Sequence, residues 1–395
     1  MERPLSGVKV LELSMFVAAP SCARLLADLG AEVIKIEKPE GDDWRNVGKS
    51  FHPDRYCDDF SPVFTIYNAG KRLISIDLKT EAGMAACHKI LSQTDVFVTN
   101  LRPAALARLG LSYAALKEKY PSLIYAMLLG YGEEGPDAGK PAFDGTAFWA
   151  KSGFLRDMAP VTADYEPVIC PSAVGDTVSG MFLMGEICAA LYRRERTGMG
   201  DYVRSTLYHN GIFTMGTMGI TNQDPAGKNL PKSRAEMGTD GYYRCRDDEW
   251  VFFSSSAMQK NIQGLYRILG ISEIIPQMSS RQERYAVTKA AFLKKSCAEW
   301  VRLAAEADIP LVRMNHFGDP GQDEQAWANH FVEKVQFQNG ETAIMPSSPI
   351  EMDSVGQLRT VPAPGVGHDT RAVLQELGYT DEELVVLEKE SVVIL

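Results

Sequence analysis

Residues 18–37 constrain the fold of this chain more than any other stretch. Ala18 to Asp28 has the apolar spacing of a buried helix, Gly30 supplies a stop, and Val33-Ile34-Lys35-Ile36 follows as a buried strand. A further strand, Val8 to Leu13, precedes the helix, so strand, helix and strand run as in a Rossmann-type α/β domain. Such a domain normally cradles a pyrophosphate with G-x-G-x-x-G in its first turn. Here the turn reads Ser14-Met15-Phe16-Val17-Ala18-Ala19-Pro20 and holds no glycine. The pattern therefore predicts the architecture without the dinucleotide.

The first third continues the alternation. Strands are expected at Leu73–Leu78, Val96–Asn100 and Leu123–Leu128, with helices over Thr80–Gln93 and over Pro103–Tyr120, broken at Gly110. Short apolar strands between amphipathic helices imply a parallel sheet covered on both faces. Thr177 to Arg194 reads as a long core helix and Tyr202 to Leu207 as a strand. Gln223 to Asp240, rich in Pro, Gly, Asn and Lys, reads as a linker. Beyond it come a hairpin over Gly241–Phe253, helical stretches over Lys260–Leu269 and Arg284–Glu306, a strand over Phe331–Phe337 and a helix over Thr370–Leu377. The expected organisation is a large α/β domain in two parts, 1–225 and 331–395, around a smaller α+β domain at 226–330.

The formal net charge of -10 speaks against nucleic acid, which needs a basic surface. Seven scattered cysteines without C-x-x-C fit free thiols in a reducing cytoplasm. No leader-like h-region and no apolar run of membrane-spanning length is evident, so neither export nor a membrane is expected. No pair of histidines has metal-ligand spacing and no G-x-S-x-G elbow occurs, so metal and Ser-His-Asp chemistry are not expected. His209 lies close in sequence to the region described next, and its role stays open.

Pro171-Ser172-Ala173-Val174-Gly175-Asp176 places one carboxylate in the first turn of the long apolar helix. An aspartate there can be a plain helix cap. It can also be a nucleophile, because free backbone N–H groups and the helix dipole favour its ionised form and an oxyanion beside it.

Taken in order, several segments resemble the class III CoA-transferases, the group that includes formyl-CoA and carnitine CoA-transferases and the α-methylacyl-CoA racemases. They are Pro4 to Leu13, Leu26 to Glu37, Asn68-Ala69-Gly70-Lys71-Arg72, Asn100 to Pro103, Leu129 to Pro136, Gly175-Asp176 and Arg196 to Gly200. The resemblance implies that Asp176 attacks an acyl-CoA and carries CoA as an aspartyl thioester. It implies no tightly bound cofactor, with coenzyme A and a carboxylic acid as substrates, and an interlocked ring-shaped homodimer. It also implies that CoA runs past Val17, Ala18, Lys38, Ile76, Lys79, Asn100, Leu101 and Arg108, with Phe143 and Asp144 at the reacting end. Arg72 and Arg102 are further cations suited to its phosphates. The racemases carry a His before the aspartate that matches Asp144; here Phe143 stands there, so one base of a two-base proton transfer is absent. The resemblance is nearest to transferases acting on 2-hydroxy acids and their enoyl-CoA products in amino-acid fermentation, such as 2-hydroxyisocaproate or phenyllactate. Val17, Phe143 and Phe148 would suit an apolar acyl chain. A 2-methylacyl-CoA racemase or epimerase, and a CoA-binding protein without catalysis, remain the alternatives.

Overall fold

Parallel strands β1 (Lys9–Leu13), β2 (Glu32–Glu37), β3 (Arg72–Ile76), β4 (Val96–Thr99), β5 (Ile124–Leu129) and β6 (Tyr202–Thr206) build the main sheet of this computed structural model, which describes residues 2–58, 60–158, 170–217, 220–223, 238–255 and 258–395. Their order is β3-β2-β1-β4-β5-β6, so the winding direction reverses between β1 and β4. A crevice opens at such a reversal, beyond the carboxyl ends of the strands, and is where open α/β sheets bind ligands. Helix α1 (Ala18–Asp28) is buried along its length. It ends as the sequence predicts: Gly30, at φ 104°, donates to Ala27 O, and Ala31 donates to Leu26 O.

The chain divides into two compact units. One comprises Met1–Phe154, Cys170–Gly219 and Asp323–Leu395; the other comprises Leu155–Ile169 and Ile220–Gln322. In the first, Leu11, Ile74, Phe97 and Tyr125 from the sheet share a core with Cys87 and Ile90 of the helix Glu81–Leu91 and with Leu374 and Leu384 near the C-terminus. The helix expected over Pro103–Tyr120 does break at Gly110, into Pro103–Arg108 and Tyr113–Lys119.

In the second unit β7 (Gly241–Arg244) and β8 (Trp250–Phe253) form the expected hairpin, and β9 (Leu311–Arg313) extends it antiparallel. Tyr243, Phe253, Phe292 and Trp300 fill its core. The helical stretch expected over Arg284–Glu306 is two helices, Arg281–Phe292 and Cys297–Glu306. Ser296 caps the second and Glu299 reaches back to it, a reciprocal box that restarts the helix. Residues 224–237 of the expected linker lie outside the described residues.

The chain then adds a hairpin to the first unit, β10 (Val332–Gln336) with β11 (Thr342–Pro346), and closes the main sheet with β12 (Val393–Ile394), antiparallel to β3. The long helix runs from Val174 to Thr197. By length and composition alone it could cross a membrane, which corrects the expectation that no apolar run is that long. In this fold it packs on α1: a Cβ at Gly180 would stand 2.0 Å from Ser21 Oγ and 2.7 Å from Ala18 O.

Candidate active site

The glycine-free turn after β1 lies at the sheet's reversal, and its shape is imposed by side chains from elsewhere. Phe16 adopts a left-handed backbone, φ 63°, which a residue with a Cβ takes only at a cost. Two clamps hold it. Asn100, just beyond β4, accepts from Met15 N (3.0 Å) and donates to Met15 O (2.7 Å). Asp42 accepts through Oδ1 from both Phe16 N (3.1 Å) and Trp44 N (3.0 Å).

Beneath the turn lies a buried ionic lattice. Lys35 Nζ meets Asp42 Oδ2 at 2.8 Å and Glu12 Oε1 at 3.1 Å; Lys71 Nζ meets Glu12 Oε2 at 2.7 Å. Lys71 also donates to Pro20 O in α1 (2.9 Å), and Ser14 donates to Glu12 (2.6 Å). The side chains of Glu12, Lys35 and Lys71 have no exposure. Burial alone would raise the Glu12 pKa, but Lys35 and Lys71 outweigh it and hold the carboxyl at about 2. Burial would lower Lys35, which Glu12 and Asp42 push above its ordinary range; for Lys71 burial wins over Glu12, and the ammonium falls to about 8.

The second feature is a pair of carboxylates at the start of the long helix. Asp176 sits in its first turn; Asp144 opens a wide π-type turn, Asp144–Ala150, that packs against it. Such turns recur at functional sites. Burial raises Asp176 to about 7, and the charge of Asp144 adds to the shift. Burial raises Asp144 too, against the Trp149 indole, which donates to Oδ2 at 3.3 Å, and the backbone amides of Ala173, Gly175 and Asp176. Gly175 permits this approach: a Cβ there would lie 2.3 Å from Asp144 Oδ1 and 2.2 Å from Phe148 Cγ. The helix begins at Val174, after Ala173 at φ 69°; Ala173 has no polar side chain to cap it, and the Asp144 carboxylate faces its first amides instead. The positive end of the helix dipole at this start favours an oxyanion formed beside Asp176.

An aromatic run joins the two features. Phe143 meets Phe16 edge-on (centroids 5.6 Å apart), Phe16 meets Trp44 (6.4 Å) and Trp44 meets Tyr67 (6.2 Å). The run begins one residue before Asp144 and ends where the Tyr67 hydroxyl lies 3.5 Å from Thr177 Oγ1, one residue after Asp176. Burial raises the Tyr67 pKa, and the charges of Asp176 and Asp144 add to it against the Thr177 contact.

Two of the expected site residues come together. Lys79 and Arg108, both exposed, line one cleft of about 880 Å³ with Leu78, Met84 and Leu109. Lys38 stands exposed after β2, 3.2 Å from Asp43. Phe143 is 58% exposed beside the buried Asp144. Leu101 is half-buried and packs on the core.

Other expected residues have their side chains engaged within the fold. Val17, Ile76 and Phe148 are core side chains at 0%, 1% and 2% exposure, and Ala18 is buried, so none offers a free side-chain surface to a ligand. Phe148 stacks on Phe154 instead. The Asn100 side chain is spent on the Met15 backbone. Arg72 starts β3 at the far end of the strand from the crevice and is taken by Glu32 and Glu376 (2.8 and 2.7 Å). His209 is exposed on the helix Leu207–Thr214. Sequence reasoning missed Asp42, Trp44 and Tyr67. The Gly41-Asp42-Asp43 turn directly after β2, at the carboxyl edge of the sheet, was the available signal.

The family model of CoA-transferase family III matches residues 5–370. The chain is 37% identical over 391 residues to the (R)-2-hydroxy-4-methylpentanoate CoA-transferase of Clostridioides difficile, covering 96% of this chain and 97% of that enzyme. It is 34% identical to the cinnamoyl-CoA:phenyllactate CoA-transferase of Clostridium sporogenes, with 98% and 96% covered. Among solved structures, Rv3272 of Mycobacterium tuberculosis in its orthorhombic form superposes with a TM-score of 0.79 at 26% identity, over 94% of this chain and 99% of that one.

Proposed function

Because the chain belongs to CoA-transferase family III, we propose that it moves CoA between an enoyl-CoA and a 2-hydroxy acid with a branched or aromatic side chain, using Asp176 as nucleophile. The observation that carries this reading is the Asp144–Asp176 pair at the start of the long helix, joined to an apolar aromatic wall. The names of the two curated relatives support the acid class.

In the reaction, the Asp176 carboxylate attacks the donor thioester carbonyl. The C–S bond breaks, and CoA leaves as thiolate from a mixed anhydride. The thiolate then attacks the aspartyl carbonyl, releasing the donor acid as carboxylate and leaving an aspartyl-CoA thioester. The acceptor carboxylate attacks that thioester, and the returning thiolate takes the acceptor's acyl group, which frees Asp176. Each acyl bond broken is replaced by another activated acyl bond, so no outside energy source is required. The positive end of the long helix's dipole stabilises each oxyanion. Burial leaves the Asp176 carboxylate poorly solvated and hence reactive, and the charge of Asp144 adds to the rise in its pKa.

The remaining parts of the reading follow the family resemblance. The large unit is Rossmann-like; CoA phosphates lie in the cleft of Lys79 and Arg108, with Lys38 near the sheet edge. The chain works as a homodimer in the cytoplasm. The dimer is supported by Val174, Met181, Phe182 and Tyr192, apolar side chains of the long helix that are 37–68% exposed in the single chain. A racemase needs a base where Phe143 stands, and a phenyl ring cannot serve.

The test is intact-mass spectrometry after incubation with a panel of acyl-CoAs, with hydroxylamine trapping and peptide mapping. An adduct on Asp176 that vanishes in Asp176→Ala is expected. CoA binding without any adduct, whatever the donor, overturns the mechanism.

A further inference from the structure

We propose that Asp42 is a positioning residue that sets the acyl selectivity of the pocket. The proposal rests on the CoA-transferase reading and assigns to that site a determinant outside the reacting groups.

Three observations carry it. A single oxygen, Asp42 Oδ1, receives the amides of Phe16 and Trp44, the two central members of the aromatic run. Its other oxygen is locked by Lys35, which is itself held by Glu12, so the carboxylate has no freedom to follow its guests. Phe16 sits in a backbone conformation that a Cβ disfavours, and without its acceptor the residue relaxes toward ordinary φ and carries its ring away from Phe143.

The ring positions of Phe16 and Trp44 thus depend on one buried carboxylate that touches no substrate. Both rings are only half-buried, so their faces are available to an apolar acyl chain lying between Phe143 and Tyr67. A shift of about 1 Å in such a wall changes rates by about 100-fold for a ligand that packs on it. A small acid that never reaches the wall feels little.

The experiment measures kcat and KM for CoA transfer to 4-methyl-2-hydroxypentanoate, phenyllactate and acetate in the wild type and three variants. Asp42→Ala is expected to lower kcat/KM for the two larger acids about 10- to 100-fold, mainly through KM, and for acetate less than about threefold. Phe16→Ala, which removes a half-buried ring, is expected to lose the same selectivity. Lys35→Met combined with Asp42→Asn removes both charges together and keeps an oxygen for the two amides, so it restores selectivity. An equal loss for all three acids, or unchanged ratios in Phe16→Ala, overturns the proposal even if Asp42→Ala fails to fold. A wild-type enzyme that transfers CoA but prefers acetate overturns it as well. A wild type that transfers CoA to no acid removes the underlying reading, and this inference with it.

Discussion

Beneath the β1–α1 turn, Glu12, Asp42, Lys35 and Lys71 set charge against opposite charge; at the start of the long helix, Asp144 and Asp176 set like beside like. Both groups are withdrawn from water, yet one carboxylate, Glu12, is held at about 2 while the other, Asp176, is raised to about 7. Burial pushes both upward, so the neighbours decide the difference. A carboxylate held far below neutrality by two ammonium groups keeps one charge state and one position, and its use is architectural. One that titrates near neutrality with a like charge beside it is a poor structural element and a usable nucleophile. This chain separates the two duties between neighbouring places in one unit.

The comparison breaks most decisively at Asp176. Replacing it by Ala is expected to lower transfer by about four orders of magnitude or more, since no other group takes over a covalent step. Steady-state rates with an acyl-CoA donor check this, with thermal unfolding near the wild-type value. A lattice residue should show the reverse pattern. Lys35→Met leaves Asp42 buried without its cation and should cost about 3–5 kcal/mol of stability, read from denaturant or thermal midpoints.

Gly175→Ala tests the closeness of the like-charged pair. The added Cβ would stand 2.3 Å from Asp144 Oδ1 and 2.2 Å from Cγ of the buried Phe148, so both must move; kcat should fall about 100-fold, and the overpacking should cost about 1–3 kcal/mol of stability. The pH profile is a smaller effect. Only ionised Asp176 attacks, so kcat/KM should rise with pH and reach half its plateau near 7; Asp144→Asn, by removing the like charge, should move that point downward.

The smallest effect lies in stability. Asp176 has a folded pKa above its ordinary value, so the fold binds a proton more readily than the unfolded chain. The resulting stabilisation is present below the ordinary carboxylate pKa and is lost as pH rises through about 7. Asp176→Asn should therefore gain more in unfolding temperature over wild type at pH 8 than at pH 5, a matter of a few degrees.

Where local chemistry decides the outcome, the sequence was legible. The alternation of strand and helix, the stop at Gly30, the break at Gly110 and the long helix carrying Asp176 all rest on neighbours in the chain. The break between Phe292 and Cys297 was legible too, in Ser296-x-x-Glu299, but the apolar spacing on either side concealed it. Other features depend on partners far away in sequence. Arg72 looked like a phosphate ligand until Glu376, 304 residues on, claimed its guanidinium. Asn100 resembled a ligand contact, and its amide serves Met15, 85 residues earlier. Nothing local announces that Phe16 takes a left-handed backbone, because a phenylalanine does so only when something distant holds it there. The π-type turn at Asp144 likewise answers to the helix beginning at Val174 and to Gly175, which lets the two meet.

A phosphate-binding turn made of glycines is portable: its shape resides in its own backbone, and the segment can be grafted onto another strand–helix junction. The turn after β1 is not. Its course is encoded by Glu12 on β1, Lys35 on β2, Asp42 beyond it, Lys71 ahead of β3 and Asn100 beyond β4. A transplant of residues 14–17 alone should therefore collapse into some commoner loop. Drift at any one of those supporting positions needs compensation at another, so an evolutionary route back to a nucleotide-cradling glycine loop would have to dismantle the support before it could profit from the glycines.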